Sequence, residues 1–417
     1  MTVCQESALR PGNYASRSAA VPSVGSAGSE EIRKTQEAFR YCIEIQRQYP
    51  WLTGEAMRVK KELISAASCD SLSLTQLCLK LLFDERPPDL KRDKEMGIAL
   101  CHAVREGHET VVRTILNSPL AGAIPISGTY GLGHALVMAA ENDHEALAGL
   151  ILNSQGGEMI SGSGSYGLGE ALYCAVDKAH EAVARAILSS QKEGSIPPNG
   201  ASGLGRSLGS AAKSGQTTLV ETILRVPGAI RIAPGVEYGF GHALRKACEG
   251  GREASARLIL SSPLARLLLP DGEYGLGDAV HWAAENGHTT LVLAVLNSEG
   301  GSAISAEGYF GLGRSLCTAA ENGHKEVVEA ILNSPFGGAI SAEGRYGLNA
   351  SLQQAKEYGH DELARVIKSY RGGGSIFMAG VSGLGHIFLT VGCGIYSLIS
   401  QVSGACFRVV ARIRSSH

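Results

Sequence analysis

Residues 311–346 read GLGRSLCTAAENGHKEVVEAILNSPFGGAISAEGRY, and this stretch decides the fold. Its first residue, Gly311, opens a phrase that returns along the chain every 36 residues (311 − 275 = 36). The corresponding glycines are Gly131, Gly167, Gly203, Gly239, Gly275 and Gly347. A fixed period of this size indicates a row of supersecondary units, each of which buries its apolar face only against its neighbours. The sequence therefore predicts a solenoid of about seven regular units.

The first half of the unit is predicted to form a helix, which we call helix A. Leu316, Ala319 and Ala320 share one face at helical spacing, and adjacent small residues suit a helix pressed closely against neighbours on both sides. Residues 322–324, Asn-Gly-His, interrupt the pattern, because glycine tolerates the left-handed conformation that ends a helix. We expect helix A to be about ten residues long.

The second half of the unit is predicted to form a helix of its own, helix B. Its apolar stripe consists of Val327, Val328, Ile331 and Leu332. Residues 333–335, Asn-Ser-Pro, end the pattern, because proline cannot continue a helix.

The loop between helix B and the next helix A keeps the same period. An aliphatic residue recurs at Ile124, Ile160, Ile196, Ile232, Leu268, Ile304 and Ile340. A glycine follows four residues later at Gly128, Gly164, Gly200, Gly272, Gly308 and Gly344, and Val236 is the exception. This pattern predicts a turn or a β-hairpin-like finger, with its aliphatic side chain held between units.

The unit resembles the ankyrin repeat. The resemblance rests on residues 319–324, Ala-Ala-Glu-Asn-Gly-His, followed by the helix B stripe, and on the same six residues at 283–288. It covers about residues 95–371 and implies an all-α, right-handed helical-repeat solenoid with finger loops between the helix pairs. Two features depart from the family: its unit has about 33 residues, and Gly313-Arg314-Ser315-Leu316 replaces its Thr-Pro-Leu-His turn. A tetratricopeptide-like repeat is the alternative, but its second helix lacks the helix B stripe.

Composition narrows the classes of partner and compartment. The formal net charge is −2 and the isoelectric point is near 6.6, so we expect no nucleic-acid partner. The ten cysteines are scattered without a C-x-x-C pair, which favours an intracellular reducing compartment over a disulfide scaffold.

The sequence divides the chain into four segments. Residues 1–29 are predicted to be a disordered Ser/Ala/Gly-rich leader, and residues 30–94 to hold N-terminal helices and a degenerate capping repeat. Residues 95–371 form the repeat region, in which Lys356 and Lys368 replace small or apolar residues of the other units. A polar outer face is typical of a terminal unit, so we expect the row to close there. Residues 372–417 form an apolar, Gly-rich C-terminal tail.

The tail admits two interpretations. From Gly372 to Phe407 it carries no formally charged residue when His386 is neutral, and about 20 apolar residues span a bilayer. One interpretation is therefore a membrane segment through residues 375–405. The other is a degenerate further repeat, because Gly383-Leu384-Gly385 keeps the register (347 + 36 = 383).

The recurring histidines and glycines could suggest metal or phosphate sites, but their spacing does not favour either. One histidine per unit recurs in most units, at His108, His144, His180, His288, His324 and His360. Zinc needs ligand atoms about 2.1 Å away, whereas packed helices lie about 8–10 Å apart, so we predict hydrogen bonds to turn carbonyls instead of metal. The Gly-Leu-Gly phrase lacks the spacing of a phosphate-binding loop. We predict no metal, no cofactor, no small-molecule substrate and no catalytic residues.

The variable positions of helix A are the candidate binding residues. The two residues after the helix A leucine change from unit to unit, and they include large aromatic and cationic side chains that commonly anchor interfaces. The candidates are Tyr173, Arg245, Lys246, His281 and Trp282. In ankyrin-like proteins this part of helix A lines the concave face, so the resemblance implies non-catalytic protein binding there.

Two other functions stay open. A membrane-tethered scaffold, or a bacterial effector secreted into a host cell, would use the tail to set its location. An enzyme is the weakest alternative, and a strongly perturbed titratable group in a pocket would favour it.

Overall fold

The computed structural model describes residues 56–85, 94–190 and 195–371. Within these ranges the chain forms eighteen α-helices and no β-strand. The leader at 1–29, the part of the predicted N-terminal helices before residue 56 and the tail at 372–417 lie outside the described residues. None of the described helices is long and apolar enough to cross a membrane. The chain divides into two compact units, Met1–Ile160 and Ser161–His417.

Unit 1 contains three helix pairs within its described part. The helices are α1 (Ala56–Ser68), α2 (Leu72–Glu85), α3 (Lys94–Glu106), α4 (Glu109–Leu116), α5 (Leu132–Glu141) and α6 (Glu145–Leu152). Each odd-numbered helix packs on the next odd-numbered one, and each even-numbered helix on the next even-numbered one. The degenerate capping repeat predicted before residue 94 is thus helical at α1 and α2.

Unit 2 repeats this arrangement through six pairs. The helix A elements are α7 (Leu168–Asp177), α9 (Leu204–Ser214), α11 (Phe240–Glu249), α13 (Leu276–Glu285), α15 (Leu312–Glu321) and α17 (Leu348–Glu357). The helix B elements are α8 (Glu181–Ser189), α10 (Thr217–Arg225), α12 (Glu253–Ser261), α14 (Thr289–Leu296), α16 (Lys325–Asn333) and α18 (Asp361–Arg371). Neighbouring helices again pack in sequence order.

The residues predicted to form the core are buried in unit 2. Leu316, Ala319 and Ala320 of helix A and Ile331 of helix B are fully buried. In the last pair, Lys356 and Lys368 are exposed, as the prediction of a polar terminal unit requires.

The loops that connect one helix pair to the next form turns and not β-hairpins. After helix B the chain makes a short 3-10 helix, for example at Gly301–Ala303, and then an extended aliphatic residue. The loop next folds back on its own helix A: the Leu276 N–H donates to the Leu269 carbonyl at 2.8 Å, and the Gly277 N–H to the Pro270 carbonyl at 2.9 Å. The prediction of a β-hairpin-like finger is therefore wrong. The loop carbonyls accept hydrogen bonds from the free N–H groups at the start of a helix, and they do not pair with a second strand. The turn is confirmed, with Gly272 at φ 99° in the left-handed region.

Two of the turn histidines form the predicted hydrogen bonds to carbonyl groups, and each bond reaches the preceding helix pair. The imidazole Nε2 of His324 lies 3.0 Å from the Glu285 carbonyl oxygen, and that of His360 lies 3.0 Å from the Glu321 carbonyl oxygen. Gln216 occupies the same place in its pair and donates to the Val176 carbonyl at 2.8 Å. Among the described residues, no group of three or more His, Cys, Asp or Glu side chains lies close enough together to hold a metal ion.

Candidate functional site

The structure brings four of the five candidate residues onto two neighbouring helices of unit 2. Arg245 and Lys246 lie on α11, and His281 and Trp282 lie on α13, which packs against α11. Tyr173 lies on α7, where its ring contacts Arg206 of α9 with the guanidinium carbon 3.3 Å from the ring centroid. The candidate site is thus centred on Arg245.

We use the name Arg245 cluster for a set of six side chains on α11, α13 and the loop before α13. The members are His242, Arg245, Tyr274, Asp278, His281 and Trp282.

Two aromatic rings flank the Arg245 guanidinium. Its central carbon lies 4.9 Å from the centroid of Trp282 and 5.3 Å from that of Tyr274. Contacts of this kind attract a cation to the negative face of an aromatic ring, and they limit the rotamers that a long side chain samples. The arginine is consequently held in place with its charge intact.

The acid nearest to Arg245 is only loosely paired with it. Asp278 is 4% exposed, and its Oδ2 lies 3.8 Å from Arg245 Nη1, which is longer than a hydrogen bond. The same Oδ2 accepts the backbone N–H of Tyr274 at 3.2 Å. Burial raises the pKa of this carboxyl group, although the Tyr274 N–H and the charge of Arg245 oppose the shift.

Two buried histidines complete the cluster. The ring of His242 lies between those of Tyr238 and Tyr274, with centroids 5.4 and 5.3 Å away. His281 stands edge-on to Trp282, with the centroids 6.2 Å apart. Within the described part of the chain, the Nδ1 atoms of both imidazoles are buried without a hydrogen-bond partner.

Both imidazoles are neutral at pH 7. Burial lowers the pKa of His242 to about 4, and the positive charges of Arg245 and Lys246 contribute to the shift. Burial also lowers the pKa of His281 to about 4, with a smaller contribution from Arg314. The cluster therefore holds one permanent cation and two neutral rings.

Lys246 differs from Arg245 in having a close partner. Its ammonium group donates to Glu249 at 2.8 Å, and Lys213 of α9 approaches the same carboxylate at 3.0 Å. One carboxylate thus serves two lysines at the edge of the cluster.

His242 and Asp278 were not among the residues predicted from the sequence. Both occupy the fourth residue of the repeat unit, a place that was treated as framework. The signal was present, because most units carry a charged or polar residue there: His134, Glu170, Arg206, His242, Asp278 and Arg314. Residues of opposite charge at this position in consecutive units can form an ion pair. Arg206 donates a hydrogen bond to the Glu170 carboxylate at 2.9 Å.

The perturbed pKa values have a cause that requires no catalysis. The His242 Nδ1 atom faces α9, since a Cβ atom added to Gly209 would lie 3.3 Å from it. Aromatic rings and a neighbouring helix therefore bury the imidazole, and burial is the largest contribution to each shift.

No protein-family model and no curated protein matches this chain.

Proposed function

We propose that the chain is a non-catalytic scaffold of the ankyrin-like type, in which the helix A face of unit 2 binds a protein partner. The observation that carries this proposal is the Arg245 side chain held against Trp282 and Tyr274. Trp, Tyr and Arg are the residues most often found at the energetic centre of protein interfaces.

The local order of the cluster supports binding. An arginine already fixed by two rings loses little side-chain entropy when a partner docks, and such preorganisation raises affinity. Trp282 is half-buried, so part of the ring lies at the surface. Tyr173, covered by Arg206, provides a second aromatic contact on the same row of helix A elements.

A photo-crosslinking experiment tests the proposed face. In the full chain, a photoreactive amino acid replaces Thr318, the half-buried counterpart of Trp282 in the next helix A element, so that Trp282 itself is kept. The control replaces Arg257, which is exposed on α12, a helix B element. We expect a discrete crosslinked protein from position 318 but not from position 257. Excess wild-type chain should compete it away, whereas excess Trp282→Ala chain should not.

The identified protein is then purified and its affinity for the full chain measured. We expect Trp282→Ala to weaken binding by a factor of about 30 or more, the size typical of an interface anchor. Equal crosslinking from both positions, or unchanged affinity of the Trp282→Ala chain, would remove the helix A face as the binding surface.

A further inference from the structure

Arg245 has an unused capacity for hydrogen bonds. A guanidinium group has five N–H donors, yet Arg245 donates no hydrogen bond to any described residue, and its Nε atom is buried without a partner. Its side chain is only 20% exposed, so water reaches a small part of it. Buried donors without acceptors are costly, and their presence calls for an explanation.

Two other arginines of unit 2 that contact an aromatic ring do donate hydrogen bonds. Arg206 donates to the Glu170 carboxylate at 2.9 Å and to the Ala201 carbonyl at 2.6 Å. Arg314 donates to the Tyr309 carbonyl at 3.1 Å. Arg245 thus differs from both in its hydrogen bonding, although all three contact an aromatic ring.

The groups close to Arg245 do not accept hydrogen bonds from its guanidinium. The Asp278 carboxylate stays 3.8 Å away and already accepts the Tyr274 N–H. Glu249 is engaged by Lys246 and Lys213. His281, whose Nδ1 is also unpaired, belongs to a residue that is 6% exposed. An acceptor from outside the described residues can reach only the exposed part of this side chain, which does not include the buried Nε atom.

We propose that Arg245 binds the carboxylate of an aspartate or glutamate side chain of the protein partner. The rings of Tyr274 and Trp282 hold the guanidinium, which leaves its edge for the paired hydrogen bonds that a planar carboxylate accepts. This inference rests on the proposed function, because it specifies the chemistry of the partner at the same face.

The choice of a carboxylate follows from the kind of partner proposed. A protein surface supplies carboxylates through its own aspartate and glutamate side chains, whereas a phosphate group requires a modification. The Asp278 carboxylate, 3.8 Å from the guanidinium, repels either anion, so the experiment below includes competition by phosphate.

The test uses random dodecapeptides displayed on phage, selected against the full chain. Peptides whose binding is lost with Trp282→Ala are kept, and each acidic residue is changed in turn to its amide (Glu→Gln or Asp→Asn). For one acidic position we expect the amide to weaken binding to the wild-type chain by about tenfold or more. Arg245→Gln should weaken the acidic peptide to the same extent and leave the amide peptide unchanged.

Two further variants make the result specific. Arg245→Lys keeps the charge but loses the paired donors, so it should show an intermediate loss. Arg257→Gln, at an arginine of the helix B element α12 that pairs with Glu253, should leave the binding of both peptides unchanged. Thermal unfolding of each variant confirms that it is folded.

The outcomes separate the two proposals. Trp282-dependent peptides whose affinity does not depend on any carboxylate would overturn the Arg245 assignment and leave the proposed face standing. A selection that yields no Trp282-dependent peptide would count against both. Stronger competition by inorganic phosphate than by acetate would overturn the choice of a carboxylate.

Discussion

Gly241 and Tyr274 belong to consecutive repeats and touch through their backbones. A Cβ atom on Gly241 would lie 1.8 Å from the carbonyl oxygen of Tyr274, far inside any allowed contact. Five other pairs have the same relationship: Gly97 with Tyr130, Gly169 with Ser202, Gly205 with Tyr238, Gly277 with Phe310, and Gly313 with Tyr346. The second glycine of the Gly-Leu-Gly phrase therefore sets how closely one loop approaches the preceding helix A.

Replacing Gly241 with alanine should destabilise the protein strongly. The added methyl group meets backbone, which cannot rotate away, so the next loop must shift. We expect a loss of about 2–4 kcal/mol in the free energy of unfolding, measured by urea denaturation followed by circular dichroism.

Gly149 is a suitable control for that measurement. It lies inside α6, and a Cβ atom there would meet nothing within 4 Å. Because alanine favours a helix over glycine by up to about 1 kcal/mol, Gly149→Ala should leave stability unchanged or raise it. Equal effects of the two substitutions would show that close backbone contact does not explain the glycine.

Asn349 provides a second test of the same contact. It occupies the place of the second glycine in α17, the last described helix A. A side chain is compatible with that place only where no carbonyl oxygen approaches as Tyr346 approaches Gly313. We therefore expect Asn349→Ala to change the free energy of unfolding by less than about 0.5 kcal/mol, whereas Gly313→Ala should lose as much as Gly241→Ala. A large loss at Asn349 would indicate an unrecognised neighbour.

The turn histidines should act through hydrogen bonds and not through metal. His360→Ala removes the bond to the Glu321 carbonyl and should cost about 1 kcal/mol. His360→Gln should cost less, because Gln216 makes the corresponding bond in its own pair. The midpoint of thermal unfolding measures both variants, and a chelator should leave the wild-type midpoint unchanged. A lowered midpoint with the chelator would favour the metal hypothesis that the spacing of the histidines disfavours.

Much of the helical fold could be predicted from the sequence because two helices repeat with small variation. The apolar stripes that contain Leu316, Ala319 and Ile331 predict the helix faces that are buried in the structure. The hairpin alternative failed because apolar and glycine positions do not reveal whether a loop carbonyl pairs with a strand or caps a helix. The division after Ile160 was not predicted either, since the 36-residue period continues through it.

The candidate site was predicted in part. Arg245 and Trp282 were chosen by their variable positions, and their contact follows from lying on consecutive helix A elements. His242 and Asp278 were missed because a polar residue at a repeated place gives no sign of its burial. Only the packing of Tyr238 and Tyr274 around His242 shows that this imidazole is enclosed.

The two buried imidazoles should make the protein less stable in mild acid. The folded-state pKa of His242 and of His281 is about 4, whereas the ordinary histidine pKa is about 6.5. Between these values the unfolded chain binds protons that the folded chain does not, so the stabilisation is complete above pH 6.5 and is lost as the pH falls towards 4. Asp278, whose pKa is raised, acts in the opposite direction, because its folded state binds the proton more readily.

A comparison of variants isolates the histidine contribution. Each imidazole contributes up to about 3 kcal/mol over the full range. The free energy of unfolding, measured in urea from pH 7 to pH 4.5, should therefore fall more steeply for the wild-type chain than for the double variant His242→Gln/His281→Gln. His102 is a matched control, since it lies on helix A element α3 with its side chain partly exposed, and His102→Gln should keep the wild-type slope. If the double variant lost stability as steeply as the wild-type chain, the enclosure of the two rings would not be the source of the acid sensitivity.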